Sequence, residues 1–91
     1  IEIENITIAH PKVKEAAVIG VKHKKWDERP LLLVVKSEEV SKEEVYEFLA
    51  DKIAKWWMPD DILFLNELPH TATGKIRKVD LKTKYINYLI N

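Results

Sequence analysis

Apolar positions fall into short runs separated by charged stretches, and their periods predict the elements. Val13 to Val21, with Ala16-Ala17-Val18-Ile19 as its middle and Gly20 near its end, reads as a strand. Leu31 to Val35 is apolar throughout, which predicts a second strand covered on both faces. The segment Lys22 to Pro30, polar apart from Trp26, is read as the connection between them. Ser41-Lys42-Glu43-Glu44 has the form of a capping box, in which the Ser hydroxyl accepts from the amide three residues on and Glu44 reaches back. Val45, Phe48, Leu49 and Ile53 follow at helical spacing, and Trp56-Trp57-Met58-Pro59 is read as the stop. Ile62 to Leu65 predicts a short third strand, Asn66 to Gly74 a turn-rich loop, and Val79 to Leu89 a last helix with Leu81, Tyr85, Tyr88 and Leu89 partly on one side. Ile1 to His10 fits either period, since Ile1 and Ile3 alternate while Ile3, Ile6 and His10 share a helix face; Pro11 ends whichever forms. The order implies an α+β domain, a small sheet of about three strands flanked by helices.

Composition narrows the function classes. Residues 1–91 make one small domain with a thin core. Fifteen Lys and Arg balance fifteen Asp and Glu, so no net field draws nucleic acid or anionic lipid, and electrostatic function must come from local clusters. The absence of Cys removes disulfides, thiolate metal sites and thiol nucleophiles together. It fits a reducing compartment, and a cytoplasmic location is expected. No signal peptide pattern is present, and the run Leu31 to Val35 is far too short to cross a bilayer. The start at Ile1, without Met and inside structured sequence, suggests a piece of a longer protein.

The chemistry concentrates in Leu68-Pro69-His70-Thr71-Ala72-Thr73-Gly74-Lys75-Ile76-Arg77-Lys78. Gly74 permits a positive φ, and the Lys75 ammonium beside it is a compact cation for phosphate or carboxylate oxygens. A phosphate-binding P-loop is excluded, because Pro69 stands where its first Gly is needed and Ile76 where its Ser or Thr is needed. On Gly-Lys alone the ordinary reading is a hairpin turn with a solvated lysine. Thr71 and Thr73 are read as capping that turn. His10, His23 and His70 lack zinc-ligand spacing, so no metal site is expected. Lys75, Arg77, Lys78, Lys82 and Lys84 form a basic cluster, read mostly as a solvated face.

The whole string Leu-Pro-x-Thr-x-Thr-Gly-Lys-Ile, Leu68 to Ile76, resembles the C-terminal signature of the adenylate-forming superfamily of acyl-CoA synthetases, peptide synthetase adenylation domains and luciferases. Upstream, His10-Pro11-x-Val13-x-Glu15-Ala16-Ala17-Val18-x-Gly20-Val21 is similar to that family's helix exit and first strand. Trp26-Asp27-Glu28-Arg29-Pro30 resembles its next turn, and Lys55-Trp56-Trp57-Met58-Pro59-Asp60-Asp61 resembles the fatty-acid, medium-to-long-chain branch of the acyl-CoA synthetases. Asp27-Glu28 stands where the family often has Gly-Glu, and Lys78 where it usually has Arg. The family's hinge and CoA-tunnel loop precede the segment matching Ile1. The resemblance implies a helix at Ile1 to His10 and the family's mobile C-terminal subdomain.

It also implies a mechanism. A carboxylic acid and ATP, with Mg²⁺, form acyl-AMP and pyrophosphate, and a thiol, usually that of CoA, then takes the acyl group. A large N-terminal domain supplies most of the ATP and acid pocket, and Mg²⁺ binds mainly there. The small domain inserts its lysine, here Lys75, for the first step and rotates for the second. Gly74, Thr71 and Thr73 then support the catalytic lysine. Lys25, Trp26 and Arg29, in the turn that nears CoA in the second state, are candidates for CoA contact. The isolated chain is expected to be inactive. The alternatives are a carrier-protein thiol as acceptor, a nucleic-acid-binding module built on the basic cluster, and a free-standing interaction domain.

Overall fold

The computed structural model describes residues 2–25 and 27–90. Helix α1 spans Glu2–Ile8, strand β1 Val13–Lys22, strand β2 Glu28–Lys36, helix α2 Lys42–Ala50, strand β3 Asp61–Leu65 and helix α3 Lys78–Tyr85, with 3-10 turns at Lys55–Trp57 and Tyr88–Ile90. The strands form one sheet in the order β1-β2-β3, with β1 antiparallel and β3 parallel to the central β2. The α+β class, the three strands and the N-terminal helix agree with the sequence reading.

Leu31 to Val35 are all buried, because both faces of β2 are covered. Leu32 and Val34 pack with Ala16, Val45, Leu49 and Ile62 beneath α1 and α2. Leu31, Leu33 and Val35 face the other way, onto Ala17, Ile19, Val21, Leu68 and Leu81. A bulge between Val13 and Glu15 shifts the β1–β2 register by one residue. Val13 therefore shares the α1/α2 face with Ala16, and Glu15 turns to the α3 face.

Several boundaries differ from the sequence reading. β2 begins at Glu28, so Glu28, Arg29 and Pro30 are strand and not connection. Pro30 is tolerated near the strand's start, and its carbonyl accepts from the Asp60 amide at 2.9 Å. The box at Ser41 is half formed: its hydroxyl accepts from the Glu44 amide at 3.2 Å, while the Glu44 carboxylate pairs with Lys12 instead of reaching back. α2 stops at Ala50, well before Trp56. Its nine residues run about 13 Å, enough to return the chain to the start of a parallel strand, and a longer helix would overshoot β3. The Tyr46 hydroxyl closes this crossover on the Pro59 carbonyl at 3.1 Å. α3 ends at Tyr85, because the Ile86 carbonyl accepts from the Lys22 amide on the outer edge of β1.

Asp61 joins the two layers around the β3 edge. Its carboxylate accepts from Lys42 at 2.9 Å, from the Ile62 amide at 2.7 Å and from the Tyr88 hydroxyl at 3.1 Å. Burial pushes this carboxyl up, but the hydrogen bonds from Lys42, Ile62 and Tyr88 outweigh it and hold it below its ordinary value of 3.8. Burial and then the Asp61 carboxylate push the Tyr88 phenol up. A depressed carboxyl contributes stability that is present above the unfolded-state value and lost as pH falls through the folded one. Asp61→Asn is expected to cost about 1–2 kcal/mol at neutral pH. Urea unfolding against pH checks this: the gap between the two proteins should close in acid.

Candidate active-site hairpin

After β3 the chain is anchored by Leu68, 3% exposed in the core beneath α3. His70 and Ile76 then pair as an isolated antiparallel bridge, and Ile76 packs against the same core. The Arg77 amide bonds to the Pro69 carbonyl at 2.8 Å, so the two stems of a short hairpin are tied at the base.

The tip closes on itself. The Gly74 amide donates to the Thr71 carbonyl at 2.9 Å, and the Thr71 amide to the Lys75 carbonyl at 2.7 Å. Thr71 Oγ1 accepts from the Lys75 amide at 3.2 Å and lies 2.9 Å from Thr73 Oγ1. Thr71 thus caps the turn, and the Thr73 hydroxyl supports it through the Thr71 hydroxyl. Gly74 sits at φ +87°, and a Cβ there would meet nothing within 4 Å. The demand for glycine is therefore conformational and not steric. Gly74→Ala is expected to cost about 1–2 kcal/mol in thermal or urea unfolding, and Gly74→Asn less, since Asn enters the left-handed region more readily.

Lys75 is thus held through its amide and carbonyl while its side chain is exposed. Among the described residues, no hydrogen bond or ion pair engages its ammonium. Its basic neighbours differ. Arg77 pairs with Asp80 at 3.2 Å, Lys78 with Glu4 of α1, and Lys82 with Glu28 of β2 at 3.0 Å. Lys84 lies over the Tyr85 ring. The face is mostly solvated, as expected, and carries half-exposed ion pairs: three of the five cations meet carboxylates, and two of these pairs tie α3 to its neighbours. The Glu4 carboxylate also accepts from the Val18 amide at 2.6 Å, so Lys78 joins a contact on the outer edge of β1.

The sequence-derived residues do not gather in one place. Arg29 donates through Nε to Asp60 at 2.9 Å, and His23 lies 3.7 Å from the same carboxylate. Lys25 is exposed, its amide donating to His23 Nδ1 at 3.0 Å, and Trp26 lies outside the described residues. Lys25 sits beyond the Lys22–Glu28 end of the β1–β2 ladder and Arg29 one pair inside it, whereas the hairpin meets Glu15 at the other end, six residues along β1 from Val21 and roughly 20 Å away. Thr71, Thr73, Gly74 and Lys75 therefore lie together in the hairpin, and Lys25 and Arg29 lie at the opposite end of the β1–β2 ladder.

Two features escaped the sequence. His70 Nε2 meets Glu15 Oε1 at 2.7 Å across 55 residues of chain, and the bulge aims Glu15 at it. Val79, 75% exposed at the start of α3, is a large apolar side chain left in solvent near the hairpin. Among the described residues no cluster of His, Cys, Asp or Glu could hold a metal ion. No helix among them is long and apolar enough to cross a membrane.

Known proteins share this sequence and geometry. The chain is 50% identical over 92 residues to a medium-chain-fatty-acid–CoA ligase of Ectopseudomonas oleovorans, covering 99% of this chain and 17% of that protein. It is 53% identical over 87 residues to a 3-methylmercaptopropionyl-CoA ligase of Ruegeria lacuscaerulensis, covering 93% of this chain and 16% of that protein. It thus spans about a sixth of the length of the curated relatives it matches. The crystal structure of ATP-bound MatB from Rhodopseudomonas palustris superposes with a TM-score of 0.90 at 32% identity, over 97% of this chain and 18% of that one. The model of the AMP-binding enzyme C-terminal domain matches residues 2–75, ending on the lysine of the hairpin, and the chain belongs to that family.

Proposed function

We propose that residues 1–91 are the C-terminal subdomain of a larger AMP-forming acyl-CoA ligase, and that Lys75 supports its adenylation step. One observation carries the reading: a self-closed hairpin, with Leu68 buried and Ile76 partly buried in its stems, presents Lys75, whose ammonium meets no acid among the described residues, while Arg77, Lys78 and Lys82 nearby are matched to carboxylates. A cation held this way suits a step in which two anions must meet.

In that step a carboxylate oxygen attacks the α-phosphorus of ATP, a new C–O–P link forms, and pyrophosphate leaves. The Lys75 ammonium bridges the acid and phosphate oxygens, offsets their repulsion and fixes the line of attack. The thiol sulfur of CoA then attacks the acyl carbonyl and AMP leaves. The second step develops charge elsewhere, and Lys75 is dispensable there. Rotation of the subdomain about its hinge exchanges the hairpin for the Lys25–Arg29 end, whose cations face the CoA phosphates. The N-terminal AMP-binding domain of the same protein is the partner and supplies the pocket for ATP and the acid. Mg²⁺ accompanies ATP and is bound mainly by that domain.

Medium- to long-chain fatty acids are the proposed substrates, with CoA preferred to a carrier-protein thiol as acceptor, in the cytoplasm. The nucleic-acid reading is weakened by the carboxylates that pair with three of the five cations of the basic cluster. The test is the full-length protein with ATP, Mg²⁺, CoA and a series of saturated acids of increasing length. AMP and acyl-CoA should appear in equal amounts with the medium and long acids. Absence of AMP with every acid and either thiol sinks the proposal.

A further inference from the structure

The hairpin that carries Lys75 is held to the domain in two chemically different ways. Leu68, buried in the core beneath α3, and Ile76, partly buried against it, anchor its stems. Beyond them, residues 70–75 are exposed. One side chain of that segment reaches back to the sheet: His70 Nε2 meets Glu15 Oε1 at 2.7 Å. A carboxylate only accepts, so Nε2 carries the proton and donates. The Glu15 side chain is 23% exposed and that of His70 38%, so the contact is partly shielded from water.

We infer that the His70–Glu15 pair is a positioning device for Lys75, fixing the angle at which the hairpin leaves the domain. The inference rests on the reading of Lys75 above. Two apolar stems side by side make an anchor that resists withdrawal but leaves rotation about the line joining them. A third point off that line removes the rotation. His70 supplies it, because it opens the hairpin and is bridged to Ile76, the residue after Lys75. The receiving carboxylate is aimed by the bulge between Val13 and Glu15, which turns Glu15 onto the hairpin's side of the sheet. Neither residue needs to touch substrate. A lysine that must lie between two anions tolerates little displacement, and a shift of about 1 Å can cost on the order of a hundredfold.

The test uses the full-length protein, with pyrophosphate exchange reporting adenylation, supplied acyl-AMP plus CoA reporting transfer, and thermal unfolding reporting the fold. His70→Ala and Glu15→Ala should each lower kcat for adenylation about tenfold, with KM for ATP and the transfer rate within about twofold of the parent. The double variant should be no slower than either single one, because both remove the same contact. His70→Gln, whose amide nitrogen can donate from nearly the same place, should recover most of the rate, which a lost packing contact would not predict. Equal losses in both half-reactions, additive losses, or failure of Gln to rescue overturn the inference. Lys75→Ala run in parallel separates it from the reading beneath it. If that variant loses adenylation while the His70 and Glu15 variants keep it, the positioning role alone is wrong. If Lys75→Ala keeps adenylation, both are wrong.

Discussion

Replacing Lys75 with alanine in the full-length protein is expected to lower adenylation by about 10²–10³-fold and to leave transfer from supplied acyl-AMP to CoA near the parent rate. The magnitude follows from what the ammonium replaces. Without it, acid and phosphate oxygens meet unscreened, and the charge that grows at the attacked phosphate has one fewer fixed partner. The loss should appear in kcat more than in KM for ATP, because the contact is worth most as the new bond forms. Lys75→Arg should fall between the two, since it keeps the charge but presents a planar fork in place of a compact ammonium. The alanine variant should keep its fold, because the side chain makes no described contact and the turn is closed by Thr71, Gly74 and backbone groups. Pyrophosphate exchange and single-step thioester formation, measured separately, decide the matter. Near-parent rates in both would make the Gly74-Lys75 turn a structural feature only.

Leu33→Ala is expected to destabilise the domain by about 2–5 kcal/mol. Leu33 is fully buried in the middle of β2, in the core that also holds Leu68 and Leu81. Truncation leaves a cavity where β1, β2 and α3 meet, and a domain this size has roughly 5–14 kcal/mol in total to lose. Each kcal/mol moves the melting temperature of such a domain by about 4–8 °C. Val79→Ser, at a position 75% exposed, should stay within about 0.5 kcal/mol of the parent. Thermal or urea unfolding of the three proteins checks the contrast. A loss below about 1 kcal/mol at Leu33 would mean that the α3 layer does not pack as described.

Local signals carried much of this protein. The unbroken run Leu31 to Val35 identified the central strand, since only a strand with both faces covered has no use for alternation. Ser41 marked the start of α2, because an N-cap is decided by residues three apart. Gly74 and the two threonines marked the hairpin, because a turn is built from its own side chains and one unusual φ. Tertiary structure decided what depends on residues far apart in the chain. The stop of α2 at Ala50 answers to the length of the sheet it crosses, and the end of α3 to the edge of β1 that takes its carbonyl. The bulge at Val13-Lys14-Glu15 carries no glycine or other local mark, yet it determines which face Glu15 occupies. Glu4, Glu15, Glu28 and Asp60 looked like any other charges, and only folding assigned them to Lys78, His70, Lys82 and Arg29. Sequence spacing reports neighbours within a turn or a strand. Pairing across the fold depends on register and on which face each strand turns to the helices, so the hairpin that carries Lys75 was legible in the sequence and the contact of its His70 with Glu15 was not.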